Sequence, residues 1–155
     1  MVKWLTEHGL TISLAESCTG GMLSEAITSV SGASEVYECG ICSYSNRIKQ
    51  SVLGVKSESL EKYGAVSEQV AKEMANGALR LAQSDIAVGV TGIAGPLGGT
   101  EEKHVGTVWV SVATKEKTIV KNLMLYNRGV KLERETVRRY TTYEALKMVL
   151  QVLGA

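Results

Sequence analysis

Leu14-Ala15-Glu16-Ser17-Cys18-Thr19-Gly20-Gly21-Met22 joins two segments of different period. Upstream, Leu10 to Leu14 alternates apolar and polar residues, which predicts a short strand. Downstream, Met22, Leu23, Ala26, Ile27 and Val30 recur at helical spacing. The five residues between them, Ser17 to Gly21, are small and form a strand-to-helix turn. Such a turn presents bare N–H groups at a helix N-terminus, where the unpaired donors and the helix dipole favour an anion. It suits a phosphate or the oxyanion of an acyl transfer. The plainer alternative is that Ser17 or Thr19 caps the helix and Gly20 and Gly21 shape the turn.

The rest of the chain repeats the alternation. Val2 to Gly9 predicts a helix with Trp4 and Leu5 inward, Val36 to Ser45 a strand, and Glu68 to about Ser84 a long helix behind the N-cap Ser67. Short helices are expected after Ser45 or Asn46 and after Ser57. Ile86 to Thr91 is a continuous apolar run, the pattern of a strand buried on both faces, and it ends in the glycine-rich Thr91–Thr100 loop. Gly106–Ala113 and Thr118–Leu125 predict an antiparallel hairpin, and Val130–Leu153 a last helix. Strands that alternate with helices and finish in a hairpin imply a three-layer α/β/α sandwich on a mixed, mostly parallel sheet. Ligands of such sheets lie beyond the carboxyl ends of the strands. Ser17–Gly21, Tyr44–Lys49 and Thr91–Gly99 are therefore expected to converge on one pocket.

The chain has 155 residues, 45% hydrophobic and 21% charged, which fits one domain over 1–155. A formal net charge of +1 gives no basic field for direct nucleic-acid binding. No apolar run is long enough for a bilayer span and Met1–His8 lacks a signal-peptide core, so a cytoplasmic protein without membrane contact is expected. Cys18, Cys39 and Cys42 do not suggest a disulfide framework. The C-x-x-C pair lies in a strand, where residues three apart face opposite sides, so no metal site is expected.

Ser17 is a candidate nucleophile, and a serine hydroxyl needs a base. Neither His8 nor His104 has an acid placed to orient it. Lys49 follows a strand end, and serine–lysine pairs are a variant of the catalytic triad. Its amine must then be partly neutral, through burial or a nearby cation such as Arg47, with Tyr44 to relay the proton or orient the amine. A solvated surface lysine is the competing reading.

Ala15-Glu16-Ser17-Cys18-Thr19-Gly20-Gly21, Tyr44-Ser45-Asn46 with Lys49, Gly64-Ala65-Val66-Ser67, Val90-Thr91-Gly92-Ile93-Ala94-Gly95-Pro96 with Gly98-Gly99, and Lys103-His104-Val105-Gly106-Thr107-Val108 occur in this order. Together they resemble the CinA C-terminal domain family, and the chain reads as a stand-alone form. The resemblance implies an α/β/α fold, no cofactor or metal, and nicotinamide-nucleotide amidohydrolase activity. Nicotinamide mononucleotide would be deamidated to nicotinic acid mononucleotide and ammonia, in pyridine nucleotide recycling. It implies Ser17, Lys49 and Tyr44 as catalytic residues. Cys18, Thr19, Gly20, Gly21, Asn46, Thr91, Gly92, Gly95 and Arg128 would bind substrate. A small pyridine nucleotide is the expected partner, and a homo-oligomer the expected assembly.

Two positions depart from the family pattern. His104 stands where a proline is usual, and Asn127-Arg128-Gly129 replaces a Gly-Asp-Arg turn, so that Arg128, Arg134 and Arg138 compete as the substrate-binding arginine. The alternative functions are a non-catalytic nucleotide-binding module and an interaction domain linked to competence and DNA recombination.

Overall fold

The computed structural model describes residues 1–154. The elements in order are α1 (Val2–His8), β1 (Ile12–Glu16), α2 (Met22–Thr28), β2 (Tyr37–Cys42), α3 (Asn46–Leu53), α4 (Ser57–Tyr63), α5 (Glu68–Ala82), β3 (Ile86–Gly92), β4 (Val108–Thr114), β5 (Thr118–Asn122) and α6 (Arg134–Leu153). The strands form one open sheet in the order β2-β1-β3-β4-β5. β1 pairs in parallel with β2 and β3, and β4 and β5 complete the sheet antiparallel. The three-layer mixed α/β arrangement expected from the sequence is the one observed.

Side-chain size sets the two layers apart. On one face, Leu14, Val88, Val90, Val110 and Val112 pack with Leu5 of α1, Leu23 and Ile27 of α2, and Val137 and Val149 of α6. The other face presents Ala15 and Ala87 to Leu53 of α3 and Val70, Met74 and Ala78 of α5. Small residues let α5 lie close to the sheet: a Cβ on Gly89 would stand 2.4 Å from the Ala71 carbonyl oxygen. Gly77 serves the α3–α5 contact in the same way, since its Cβ would meet the Leu53 carbonyl oxygen at 2.1 Å. Substituting either would force backbone apart rather than rotate a side chain.

Several element ends differ from expectation. β1 runs Ile12–Glu16 rather than Leu10–Leu14, because pairing with β3 continues to the Glu16–Val90 register. All five of its residues are buried, since β1 has strands on both sides and helices on both faces. The short alternation in the sequence is thus not the mark of a half-solvated strand here. β2 is the edge strand that alternates in burial, with a register shift opposite Ile12/Ser13. α6 starts at Arg134 instead of Val130, because Gly129 turns into the left-handed region and Val130 and Leu132 pack on the core instead. No helix among the described residues is long and apolar enough to cross a membrane.

Candidate functional site

β1, β2 and β3 are parallel, so their carboxyl ends open on the same edge of the sheet. The three loops that leave them meet there around a cavity of about 280 Å³. Ser17, Cys18, Tyr44, Asn46, Lys49, Thr91, Gly92 and Gly95 all line it.

Lys49 is placed by the first turn of α3. The Ser45 hydroxyl caps that helix by accepting from the Ile48 N–H, and Lys49 and Leu53, one turn apart, share its buried face. The Lys49 side chain is 1% exposed. Its Nζ donates to the Ser43 carbonyl at 2.6 Å and to Ser17 Oγ at 3.1 Å. No ion pair among the described residues includes it. Burial pushes its pKa below the ordinary lysine value, because the charged form loses hydration and gains no carboxylate. The cause is burial rather than a neighbouring cation, and Arg47 is exposed to solvent.

Ser17 is fixed by its backbone N–H, which donates to the Val90 carbonyl at 3.0 Å and so extends β1 toward β3. Cys18 beside it is buried, and burial drives its thiol pKa up to about 12. Of these two adjacent side chains, only the Ser17 hydroxyl is hydrogen-bonded to the Lys49 amine. Thr91 turns its hydroxyl away to the Ala65 carbonyl at 2.8 Å and joins the 64–66 segment to the cavity wall.

The N-terminus of α2 corrects one expectation. It is not open to a ligand anion, because Glu16 fills it. The Glu16 carboxylate is fully buried and accepts from the N–H groups of Gly21 (3.0 Å), Leu23 (3.1 Å) and Ser24 (2.8 Å), and from the Ser24 hydroxyl (2.6 Å). Gly20 N–H is also spent, on the Ser17 carbonyl at 3.1 Å. Gly20 and Gly21 therefore shape the turn and do not line the cavity. The Cys18 and Thr19 N–H groups are the two in the turn that donate to no other described residue. Thr19 is fully buried and is not among the cavity-lining residues, and its carbonyl accepts from Arg138 Nε at 3.1 Å and from an Arg138 terminal nitrogen at 2.7 Å.

Tyr44 is a second correction. It is 62% exposed, and its hydroxyl accepts from an Arg134 terminal nitrogen at 2.7 Å. The Ser43 carbonyl, not Tyr44, orients the lysine amine. Arg134 also donates to the Gly95 carbonyl at 3.0 Å and lines the cavity. Arg128 lies elsewhere, 3.6 Å from the Glu144 carboxylate, and is not a cavity residue. Among the three competing arginines the structure brings only Arg134 to the cavity.

Sequence reasoning did not find the roles of Glu16 and Ser43. The capping-box template looks for a carboxylate three residues after the cap, whereas Glu16 reaches forward from five residues before Gly21. A backbone carbonyl such as that of Ser43 leaves no residue-type signal at all. Cys39 and Cys42 alternate in burial along β2, the first half-buried and the second exposed, and no group of three or more metal-ligating side chains occurs among the described residues.

The model of the CinA C-terminal domain matches residues 1–153. A protein of Thermoanaerobacter pseudethanolicus named for competence-damage induction is 48% identical over 153 residues, covering 99% of this chain and 36% of that protein. A CinA-like protein of Thermotoga neapolitana is 45% identical over 147 residues, covering 95% of this chain and 35% of its own length. The chain thus spans about a third of these relatives. The crystal structure of the competence/damage inducible protein CihA from Agrobacterium tumefaciens superposes with a TM-score of 0.91 at 39% identity, covering 97% of this chain and 89% of that one. With its fold and nearly its whole length matched, this chain belongs to the CinA C-terminal domain family.

Proposed function

We propose that this domain is a metal-independent serine amidohydrolase that deamidates nicotinamide mononucleotide. One observation carries the reading: a fully buried lysine amine lies 3.1 Å from Ser17 Oγ with no carboxylate to hold its charge. A lysine kept only to bind an anion gains nothing from a hydroxyl partner and a carbonyl partner. A lysine kept to take a proton needs the lowered pKa that burial produces.

In its neutral form Lys49 accepts from the Ser17 hydroxyl while still donating to the Ser43 carbonyl. Ser17 Oγ attacks the carboxamide carbon and its proton passes to Lys49 Nζ. The oxyanion is held by the Cys18 N–H, a donor left over in the turn at a residue that lines the cavity. Collapse breaks the C–N bond, Lys49 returns the proton to the leaving nitrogen, and ammonia departs. Water then attacks the acyl-serine by the reverse proton route. Arg134, at the rim and braced by Tyr44 and Gly95, is the cation for the nucleotide phosphate.

Ammonia release across nicotinamide mononucleotide, the riboside, free nicotinamide and the dinucleotide tests the proposal. Turnover of the mononucleotide, lost in Ser17→Ala, supports it. Saturable nucleotide binding without ammonia release would replace it with a non-catalytic binding module.

A further inference from the structure

We propose that Glu16 is a positioning residue for the nucleophile turn, an inference that rests on Ser17 being the nucleophile. Ser17, Cys18, Thr19 and Gly20 are strung between two fixed ends. The upstream end is held by the sheet, through the parallel registers of Glu16 with Cys42 and Val90 and the Ser17 N–H bond to Val90. The downstream end is held by the Glu16 side chain itself, which reaches across the turn to Gly21, Leu23 and Ser24. One residue thus grips both ends of a four-residue span.

The chemistry of the grip leaves little freedom. Each carboxylate oxygen takes two donors: Gly21 and Leu23 N–H on one, Ser24 N–H and Oγ–H on the other. A carboxylate is acceptor-only and satisfies all four. A carboxamide at the same place sets its NH₂ against a backbone N–H on one side. With Gly21 spent on Glu16, Gly20 on the Ser17 carbonyl and Met22 on the Thr19 carbonyl, the Cys18 and Thr19 N–H groups remain in the turn, and of the two residues Cys18 lines the cavity where an oxyanion develops. Arg138 holds the Thr19 carbonyl from the side of α6 and completes the bracket. A carboxylate at the helix start also cancels the dipole there, so the Cys18 N–H acts by position rather than by helix field.

The test uses a small alkyl fluorophosphonate beside ammonia release. The Ser17 Oγ–P bond forms, the P–F bond breaks, fluoride leaves and the hydroxyl proton goes to Lys49, so the rate reads the activated turn without any nucleotide. Both assays are run well below the melting temperature of each protein. In Glu16→Gln the phosphonylation rate and kcat are expected to fall together by about tenfold or more, with KM within about twofold. A merely structural carboxylate would lower thermal stability and leave the phosphonylation rate of the folded fraction unchanged, and that result overturns the proposal. If Glu16→Gln does not fold, Ser24→Ala removes one donor to the same oxygen and is expected to slow phosphonylation about threefold; a wild-type rate there overturns it. A wild-type protein phosphonylated at Ser17 that releases no ammonia refutes the substrate reading and leaves Glu16 to be judged by phosphonylation. A wild-type protein inert in both assays has no activated serine to position, and refutes both.

Discussion

Glu16 and Lys49 are the buried charged side chains on either side of Ser17, and their surroundings are opposite in kind. The carboxylate accepts four hydrogen bonds, all from groups within eight residues of it in sequence. The amine finds one carbonyl and one hydroxyl, and the hydroxyl belongs to a segment 32 residues away. A buried charge with a full set of local donors is a fixed part of the scaffold. A buried charge with a short set of partners is poised to lose its proton. On the proposed reading, the contrast between the two separates what holds the turn from what works in it.

The largest expected effect tests the working side. Ser17→Ala should reduce ammonia release at least about a thousandfold, with circular dichroism and melting temperature close to wild type. Near-normal turnover in that variant would remove the nucleophile. Lys49→Arg comes next and should be about as inactive as Lys49→Ala, each down about a hundredfold or more, because a guanidinium keeps its proton at neutral pH. An arginine variant within about tenfold of wild type would make Lys49 a fixed charge like Glu16 and erase the contrast. The kcat/KM profile should accordingly rise through an ionisation below the ordinary lysine value of ~10.4.

Arg134→Ala should raise KM for the mononucleotide about tenfold and leave the riboside unaffected, since only the former carries phosphate. Equal losses for both would place the phosphate elsewhere.

A smaller effect reports stability. Burial lowers the Lys49 pKa in the folded chain below that of an unfolded lysine. Between the two values the unfolded chain binds more protons, so stability rises with pH across that window. Below the folded value the buried charge costs its full amount. Lys49→Met should therefore melt about 3 °C or more above wild type at pH 7, with the advantage shrinking as pH approaches ~10. A variant that melts lower at pH 7 would mean the amine is well paired after all. Smallest of all, Arg128→Ala should leave KM within about twofold of wild type, because its partner is Glu144 and not the substrate.

The sequence by itself determined the layer order and the three loops of the cavity. Period changes are local, so the switch from strand to helix around Ser17–Gly21 and the apolar run Ile86–Thr91 are legible without coordinates. Parallel strands then force loops after alternate elements onto one edge, which is why Ser17, Lys49 and Thr91 could be named together. The composition of the turn also suggested an anion site at the helix start. Only the tertiary structure decided that the helix start was already taken. Glu16 sits in a strand, and whether its side chain turns back to solvent or forward to Gly21 depends on how β1 is seated between β2 and β3. The same holds for Lys49, whose neutral partners come from the Ser43 backbone and a distant hydroxyl, and for the choice of Arg134 over Arg128. Periodicity assigns a residue to a face of its own element. The solvation of a charge is set by the other elements packed against that face, and no local pattern records them.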